Sequence, residues 1–266
     1  MKQILKWAMV AMMLAASACT KTETPKDEPK EVELLPFEKQ IQKAGTLVVG
    51  TSPDYAPFES LTPDGKLEGF DIDLMHALAK EIKRADGTVY QIEWVQMSFD
   101  TIVTAVQTGQ VDLGISSFTY DKDRDVLFST PYIESQQVVL VKKDSSIKTL
   151  ADLEGKKIGV QLGSTGEGAA KDIANASLMA LNNVNVLMES LKTNAVDAVV
   201  VDKGVGDNYV ANAGFVKLEE PLIDENVSII AKKGNQDLLD LINKSVEAYK
   251  QTDAYQASLE KWGLHE

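Results

Sequence analysis

The residues with the most chemical potential lie between Asp112 and Tyr132, in the stretch DLGISSFTYDKDRDVLFSTPY. Val111 to Ile115 reads as a short buried strand behind a helix that ends near Gly109. At its end apolar residues give way to Ser116, Ser117 and Thr119, and then to Arg124. In open parallel sheets, ligands sit beyond the carboxyl ends of strands. A guanidinium is a planar fork that takes a carboxylate through two hydrogen bonds, and hydroxyls complete the shell. The combination suits a small molecule bearing a carboxylate. The same arginine lies in a DKDRD charge run, so pairing with its own neighbours is the competing reading.

Two further patterns point the same way. GSTGEG, residues 163–168, follows a strand, but Ala169 stands where a phosphate loop requires lysine, and the dinucleotide fingerprint does not fit. What remains is a strand–turn–helix with N–H groups at Ser164, Thr165 and Gly166. Such a helix start suits an anionic group, and a purely structural turn is the alternative. The second pattern is an internal similarity between Val111-Asp112-Leu113-Gly114-Ile115 and Val196-Asp197-Ala198-Val199-Val200. Five residues past the aspartate stands Ser117 in one copy and Asp202 in the other. Two such strand ends would aim two polar groups into one cleft; generic α/β grammar explains the repeat equally well.

Composition excludes several classes. Lys2 and Lys6 precede an apolar run, Trp7 to Ala16, and Ala16-Ser17-Ala18 leads into Cys19, the pattern of an export signal. Cys19 is the chain's single cysteine, so no disulfide forms within it. Removal of residues 1–18 leaves 25 basic and 40 acidic residues, a formal charge near −15. That charge argues against nucleic acid and against a polybasic membrane surface. His76 and His265 are the only histidines, so no His/Cys metal cluster can form; no EF-hand spacing is present, and neither metal nor cofactor is expected.

The elements that must position these residues alternate strand and helix, which implies α/β layers. Thr46 to Gly50 is a first strand, followed by a loop in which Pro53 and Pro57 leave Tyr55 and Phe58 outside regular structure. A helix opens at Gly69-Phe70-Asp71, with Asp71 as N-cap and Ile72, Met75, Leu78, Ala79 and Ile82 as its apolar stripe. His76 beside that stripe reads as structural. Val89 to Gln96, Lys156 to Val160, and two isolated runs at 136–141 and 226–231 complete the strands. Two helices close the chain, carrying Leu238, Ile242 and Val246, then Tyr255, Leu259 and Trp262.

Six segments together resemble the bacterial extracellular solute-binding proteins of polar amino-acid ABC transporters, family 3. They are YAPFE (55–59), GFDIDL (69–74), DLGISSFTYDKDR (112–124), FSTPY (128–132), LEGKKIGVQLGST (153–165) and VDAVVVD (196–202). The resemblance implies a periplasmic-binding-protein-like type II α/β fold, two lobes joined by two crossing hinge strands. Lobe 1 would be residues 37–135 plus 230–266, and lobe 2 residues 136–229. Residues 1–18 resemble a lipoprotein signal, with Cys19 lipidated, and 19–36 would be a disordered tether.

The resemblance also assigns roles. Arg124 would grip the ligand α-carboxylate with main-chain N–H groups at Thr119 and Thr165, beside Ser164. Asp202 and the Ser117 carbonyl would hold the α-ammonium, with the Thr119 hydroxyl assisting. Tyr55 and Phe99 would sandwich the side chain, and Ser52 and Gln161 would line its far end. The chain is two residues shorter than usual between Arg124 and Phe128, an alignment that would otherwise place Lys122 at the arginine position. Asp112, Ser117, Thr119 and Arg124 keep the family's mutual spacing, which favours Arg124. Ser52 stands where binders of cationic side chains often place an aspartate, which points towards glutamine, with arginine and histidine as alternatives.

The expected protein is therefore a non-enzymatic, monomeric, lipid-anchored extracytoplasmic binding protein. It would sit on the outer face of the cytoplasmic membrane or in the periplasm and deliver an amino acid to a membrane permease. The rival is an enzyme on the same fold, a cyclohexadienyl-dehydratase-like lyase, for which Glu167 is the one nameable acid. A receptor's sensor domain is a third, weaker reading.

Overall fold

The computed structural model describes residues 33–264; the export segment, Cys19 and most of the expected tether lie outside them. In chain order come β1 (Thr46–Thr51), β2 (Asp54–Tyr55), β3 (Glu59–Leu61), β4 (Leu67–Glu68), α1 (Phe70–Glu81) and β5 (Gln91–Gln96). Next are α2 (Phe99–Thr108), β6 (Leu113–Thr119), β7 (Leu127–Phe128) and the long β8 (Ile133–Val141). They are followed by β9 (Lys157–Gln161), α3 (Thr165–Lys171), β10 (Ser177–Leu181), α4 (Val184–Lys192) and β11 (Ala198–Asp202). Last are α5 (Lys203–Ala213), β12 (Val216–Lys217), β13 (Ile223–Ala231), α6 (Gln236–Lys250) and α7 (Asp253–Trp262).

The main sheet runs in the order β10-β9-β11-β8-β13-β6-β1-β5. β1 pairs in parallel with β5 and β6, and β9 pairs in parallel with β10 and β11. Between these two parallel wings run β8 and β13, antiparallel to each other and to the strands beside them. The first half of β8 (133–137) pairs with β13, and its second half pairs with β11. β13 likewise pairs with β8 through its first half and with β6 through its second. Each of the two strands therefore belongs to both wings. Their second halves are apolar on both faces, Val138–Val141 and Ile229–Ala231 being 0–2 % exposed, as a strand covered on both sides requires.

Several local expectations are corrected. β8 and β13 each begin three residues before the apolar runs at 136–141 and 226–231. Glu134, Asp224 and Glu225 break the apolar pattern, but pairing between the two strands continues through them. The expected lobe boundaries, 135/136 and 229/230, both fall inside these strands. β6 occupies 113–119 rather than 111–115, because Phe118 and Thr119 pair with β13 and keep the polar strand end in the ladder. The loop after β1 contains short strands β2 and β3, and Tyr55 and Phe58 are buried within it.

α1 begins with Gly69 as its N-cap, not Asp71. Gly69 has φ 140°, and a β-carbon there would lie 2.0 Å from the Phe58 carbonyl oxygen, so only glycine fits. That close approach locks the β2–β3 hairpin onto the helix start and frees the Asp71 carboxylate for another task. The apolar stripe of α1 is buried as expected, and α2 stops at Gly109, whose left-handed φ of 73° ends the helix. His76 is exposed and lies edge-on to Trp94.

Candidate functional site

A narrow cavity of about 10 Å³ lies where the carboxyl ends of β6 and β11 meet, with Gln137 of β8 also in its lining. Nine expected residues line it: Tyr55, Phe99, Ser117, Thr119, Arg124, Gln161, Ser164, Thr165 and Asp202. A larger, open crevice of about 370 Å³ runs over Glu134, Gln136, Lys203 and Asp224 and reaches Glu225.

Ser52 is the exception. It is buried behind the wall, its N–H donating to Ser116 Oγ and its hydroxyl to Asp54 Oδ1 at 2.8 Å. The two short strands that follow Thr51 turn it away from the cavity and towards Asp54. Asp54 in turn accepts the N–H of Val184, the first residue of α4, at 2.7 Å. Burial raises the Asp54 pKa against the pull of these hydrogen bonds.

Arg124 does not pair with its neighbours in the charge run. Its guanidinium donates to the carbonyl oxygens of Thr119 and Gly163, each at 2.9 Å. It also lies over the rings of Phe99 and Phe118, 5.5 and 5.3 Å from their centroids. Among the described residues no carboxylate forms a salt bridge with it. Burial pulls its pKa down, opposed by the charges of Asp121, Glu225 and Asp202. The result is a cation held in place by neutral groups and aromatic faces. Phe99 itself stacks on Phe118 at 4.7 Å.

Asp202 is 3 % exposed and faces Arg124 from the other wing. Its Oδ1 accepts from Gln137 Nε2 at 3.0 Å, and its Oδ2 from Ser117 Oγ at 3.1 Å. Its backbone N–H donates to Tyr55 Oη at 2.9 Å. Burial, reinforced by the charge of Glu225, raises its pKa to about 8. Ser117 adopts φ 50°, a left-handed conformation that costs a non-glycine residue about 1–2 kcal/mol. The bond from its N–H to Asp71 Oδ2, 3.0 Å, holds it there.

At the third side, the Ser164 hydroxyl caps α3 by accepting the N–H of Glu167, and the Ser164 N–H donates to Gln161. Ser164 thus has no free N–H, contrary to expectation. Thr165 and Gly166, the first residues of α3, carry the N–H groups that a helix start leaves without internal acceptors. Glu167 is committed to its own helix: Lys171 pairs with one oxygen and the Gly163 N–H donates to the other. Although partial burial opposes them, these bonds hold its carboxyl below the ordinary glutamate range. A lyase acid needs the opposite shift.

Two residues of the site, Glu225 and Gln137, escape sequence reasoning. Glu225 on β13 accepts from Thr119 Oγ1 at 3.1 Å and from Gln137 Nε2 at 2.8 Å. Its other oxygen, buried, has no hydrogen-bond partner among the described residues. Gln137 bridges Glu225 and Asp202 with one amide nitrogen; Ser116, the first of the expected strand-end hydroxyls, also lines the cavity. The signal available was the polar first half of each of two strands whose second halves are largely apolar.

Comparison with known proteins follows from this geometry. The sequence model of the bacterial extracellular solute-binding proteins, family 3, matches residues 47–265. A protein of Campylobacter jejuni described as a "probable histidine-binding protein" is 34% identical over 99% of this chain and 100% of its own. An arginine-binding extracellular protein of Bacillus subtilis is 33% identical over 81% of this chain and 85% of its own. The solved structure of an ancestral arginine-binding protein with arginine bound is 41% identical. It superposes with a TM-score of 0.75 over 82% of this chain and 98% of its own.

Proposed function

The chain belongs to the bacterial extracellular solute-binding proteins of family 3, and from that footing we propose that it captures a polar L-amino acid between its two wings and delivers it to an ABC permease. The observation that carries this reading is the pair formed by Arg124, a fixed cation without a carboxylate, and Asp202, a buried acid across the cavity from it. Arg124 takes the ligand α-carboxylate, with the N–H groups of Thr119 and Thr165 completing its shell. Asp202 and the Ser117 carbonyl take the α-ammonium. Tyr55 and Phe99 flank the side chain, and Gln161 meets its end.

The two wings, 37–135 with 230–266 and 136–229, act as lobes that swing on β8 and β13. A ligand that touches both lobes stabilises only the closed arrangement, which the permease then reads. Charge balance bears on which amino acid it is. A zwitterion matches Arg124 and Asp202 and leaves Glu225 without a counter-charge, while Asp54 stands behind Ser52. This favours L-arginine or L-histidine over L-glutamine. Cys19 carries the lipid anchor, the residues after it are the tether, and the protein works as a monomer at the outer face of the membrane.

The test is a thermal-shift screen against the twenty amino acids. A ligand at a hundred times its dissociation constant adds about 2.7 kcal/mol of apparent stability, a shift readily seen in the melting midpoint. A response to one or a few polar amino acids supports the reading. No response to any of them overturns it.

A further inference from the structure

Beneath the cavity lie two carboxyl groups that the proposed capture of a ligand does not use. Glu59 on β3 and Asp71 in the first turn of α1 are both 0 % exposed and lie beside each other, bonded to the consecutive residues Ser116 and Ser117. Asp71 accepts from the Ser117 N–H at 3.0 Å and from the Tyr132 hydroxyl at 2.8 and 2.9 Å, so both of its oxygens already have donors. Glu59 Oε1 accepts from the Ser116 hydroxyl at 2.6 Å, while Oε2 has no donor among the described residues.

The surrounding groups offer no compensating charge. Asp54 lies near Glu59, and Asp202 and Tyr132 lie near Asp71; among the described residues no lysine, arginine or histidine pairs with either carboxyl. Two adjacent buried carboxyls without a cation do not both ionise. The oxygen without a donor identifies where the proton must sit. A hydrogen on Glu59 Oε2 supplies the missing bond to Asp71, and every polar atom of the pair is then satisfied.

What the pair holds is the turn at the end of β6. Asp71 bonds the backbone of Ser117 in its left-handed conformation, and Glu59 bonds Ser116, whose Oγ accepts the Ser52 N–H. We propose that Glu59 and Asp71 share one proton, carried by Glu59, and together form the positioning pair that fixes Ser116 and Ser117 beneath the ligand's ammonium group. The ligand clause rests on the function proposed above; the shared proton does not, and it is tested on the ligand-free protein. Burial drives the Glu59 pKa well above its usual value and raises that of Asp71 to about 6, in keeping with this assignment.

Folded Glu59 keeps its proton where unfolded glutamate has lost it, so stability falls as pH rises above about 4.3 towards the folded pKa. In denaturant titrations from about pH 6 to 8, one such proton changes the folding constant by about tenfold per pH unit. Glu59→Gln, a neutral isostere that still donates to Asp71, should flatten the slope by that one proton. A slope equal to the wild type overturns the proposal. Should Glu59→Gln fail to fold, carbon NMR of the wild type labelled at glutamate side-chain carboxyls decides. One resonance should stay at its protonated position through neutral pH, and ordinary titration of every glutamate overturns the proposal.

Asp71→Ala tests positioning, because it removes the acceptor of both the Ser117 N–H and the Tyr132 hydroxyl. Amide exchange at Ser117 should accelerate at least tenfold. Affinity for the amino acid giving the largest thermal shift should fall further than in Glu59→Gln. Unchanged exchange at Ser117 overturns the positioning role, whatever the ligand proves to be.

Discussion

β6 and β11 are entered through the same device. The Asp112 N–H donates to the Val48 carbonyl while its carboxylate accepts the Val48 N–H; Asp197 does the same with Lys157. Each strand then pairs in parallel with its neighbour, β1 or β9, and antiparallel with a shared central strand. Five residues later the equivalence ends. β6 reaches Ser117, a neutral residue at positive φ that depends on Asp71, whereas β11 reaches Asp202, itself the charge, which precedes α5. These two equivalent positions touch, the Ser117 hydroxyl donating to Asp202. A common scaffold thus brings two strand ends together; β11 gives the cavity the acid Asp202, and the loop beyond β6 gives it the cation Arg124.

The largest expected effect breaks the contrast of charge. Arg124→Ala removes the one cation on the cavity wall and leaves a bound carboxylate desolvated and unpaired, at a cost of about 2–5 kcal/mol in affinity by titration calorimetry. Asp202→Asn keeps shape and removes charge, for a loss of about 1.5–3 kcal/mol. It also changes the pH response. In the wild type, an ammonium group requires the ionised form of Asp202, whose pKa lies at about 8 without ligand. Affinity should therefore rise with pH up to about 8, with proton release on binding, and then level; Asp202→Asn should lose that rise. The sign for folding is opposite. The stability Asp202 contributes in its protonated form is present at acid pH and is lost as pH rises through about 8.

The smallest effects sharpen the comparison by testing the shared device. Asp112 is 6 % exposed and accepts from both Gln42 and Val48, so Asp112→Ala should cost about 1–3 kcal/mol of stability in denaturant titration. Asp197 is exposed and accepts from Lys157 alone, so Asp197→Ala should cost less than about 1 kcal/mol. Neither should alter the charge placed at the strand ends.

What could be read in the chain is what lies close together in it. The Val-Asp entries, the Ser-Ser-x-Thr strand end and Arg124 fall within short stretches, and periodicity located the strands and helices that carry them. The partners lie far off: Glu225 is 106 residues from Thr119 and Asp71 is 46 from Ser117. Each is an acid whose meaning depends on which strand crosses beside it, and local pattern does not encode that. Asp71 resembled an N-cap because its spacing from the apolar stripe suits one; the glycine before Phe70 took that place for steric reasons. Ser52 shows the converse, a residue at a suggestive position just past β1 whose hydroxyl turns to Asp54 behind the wall.

The most direct test is a crystal structure of the protein grown with the amino acid that gives the largest thermal shift. The account predicts the ligand between the wings, its carboxylate on the Arg124 guanidinium and its ammonium between Asp202 and the Ser117 carbonyl. A ligand bound in the reverse orientation, or in the crevice over Glu134 and Asp224, would contradict it.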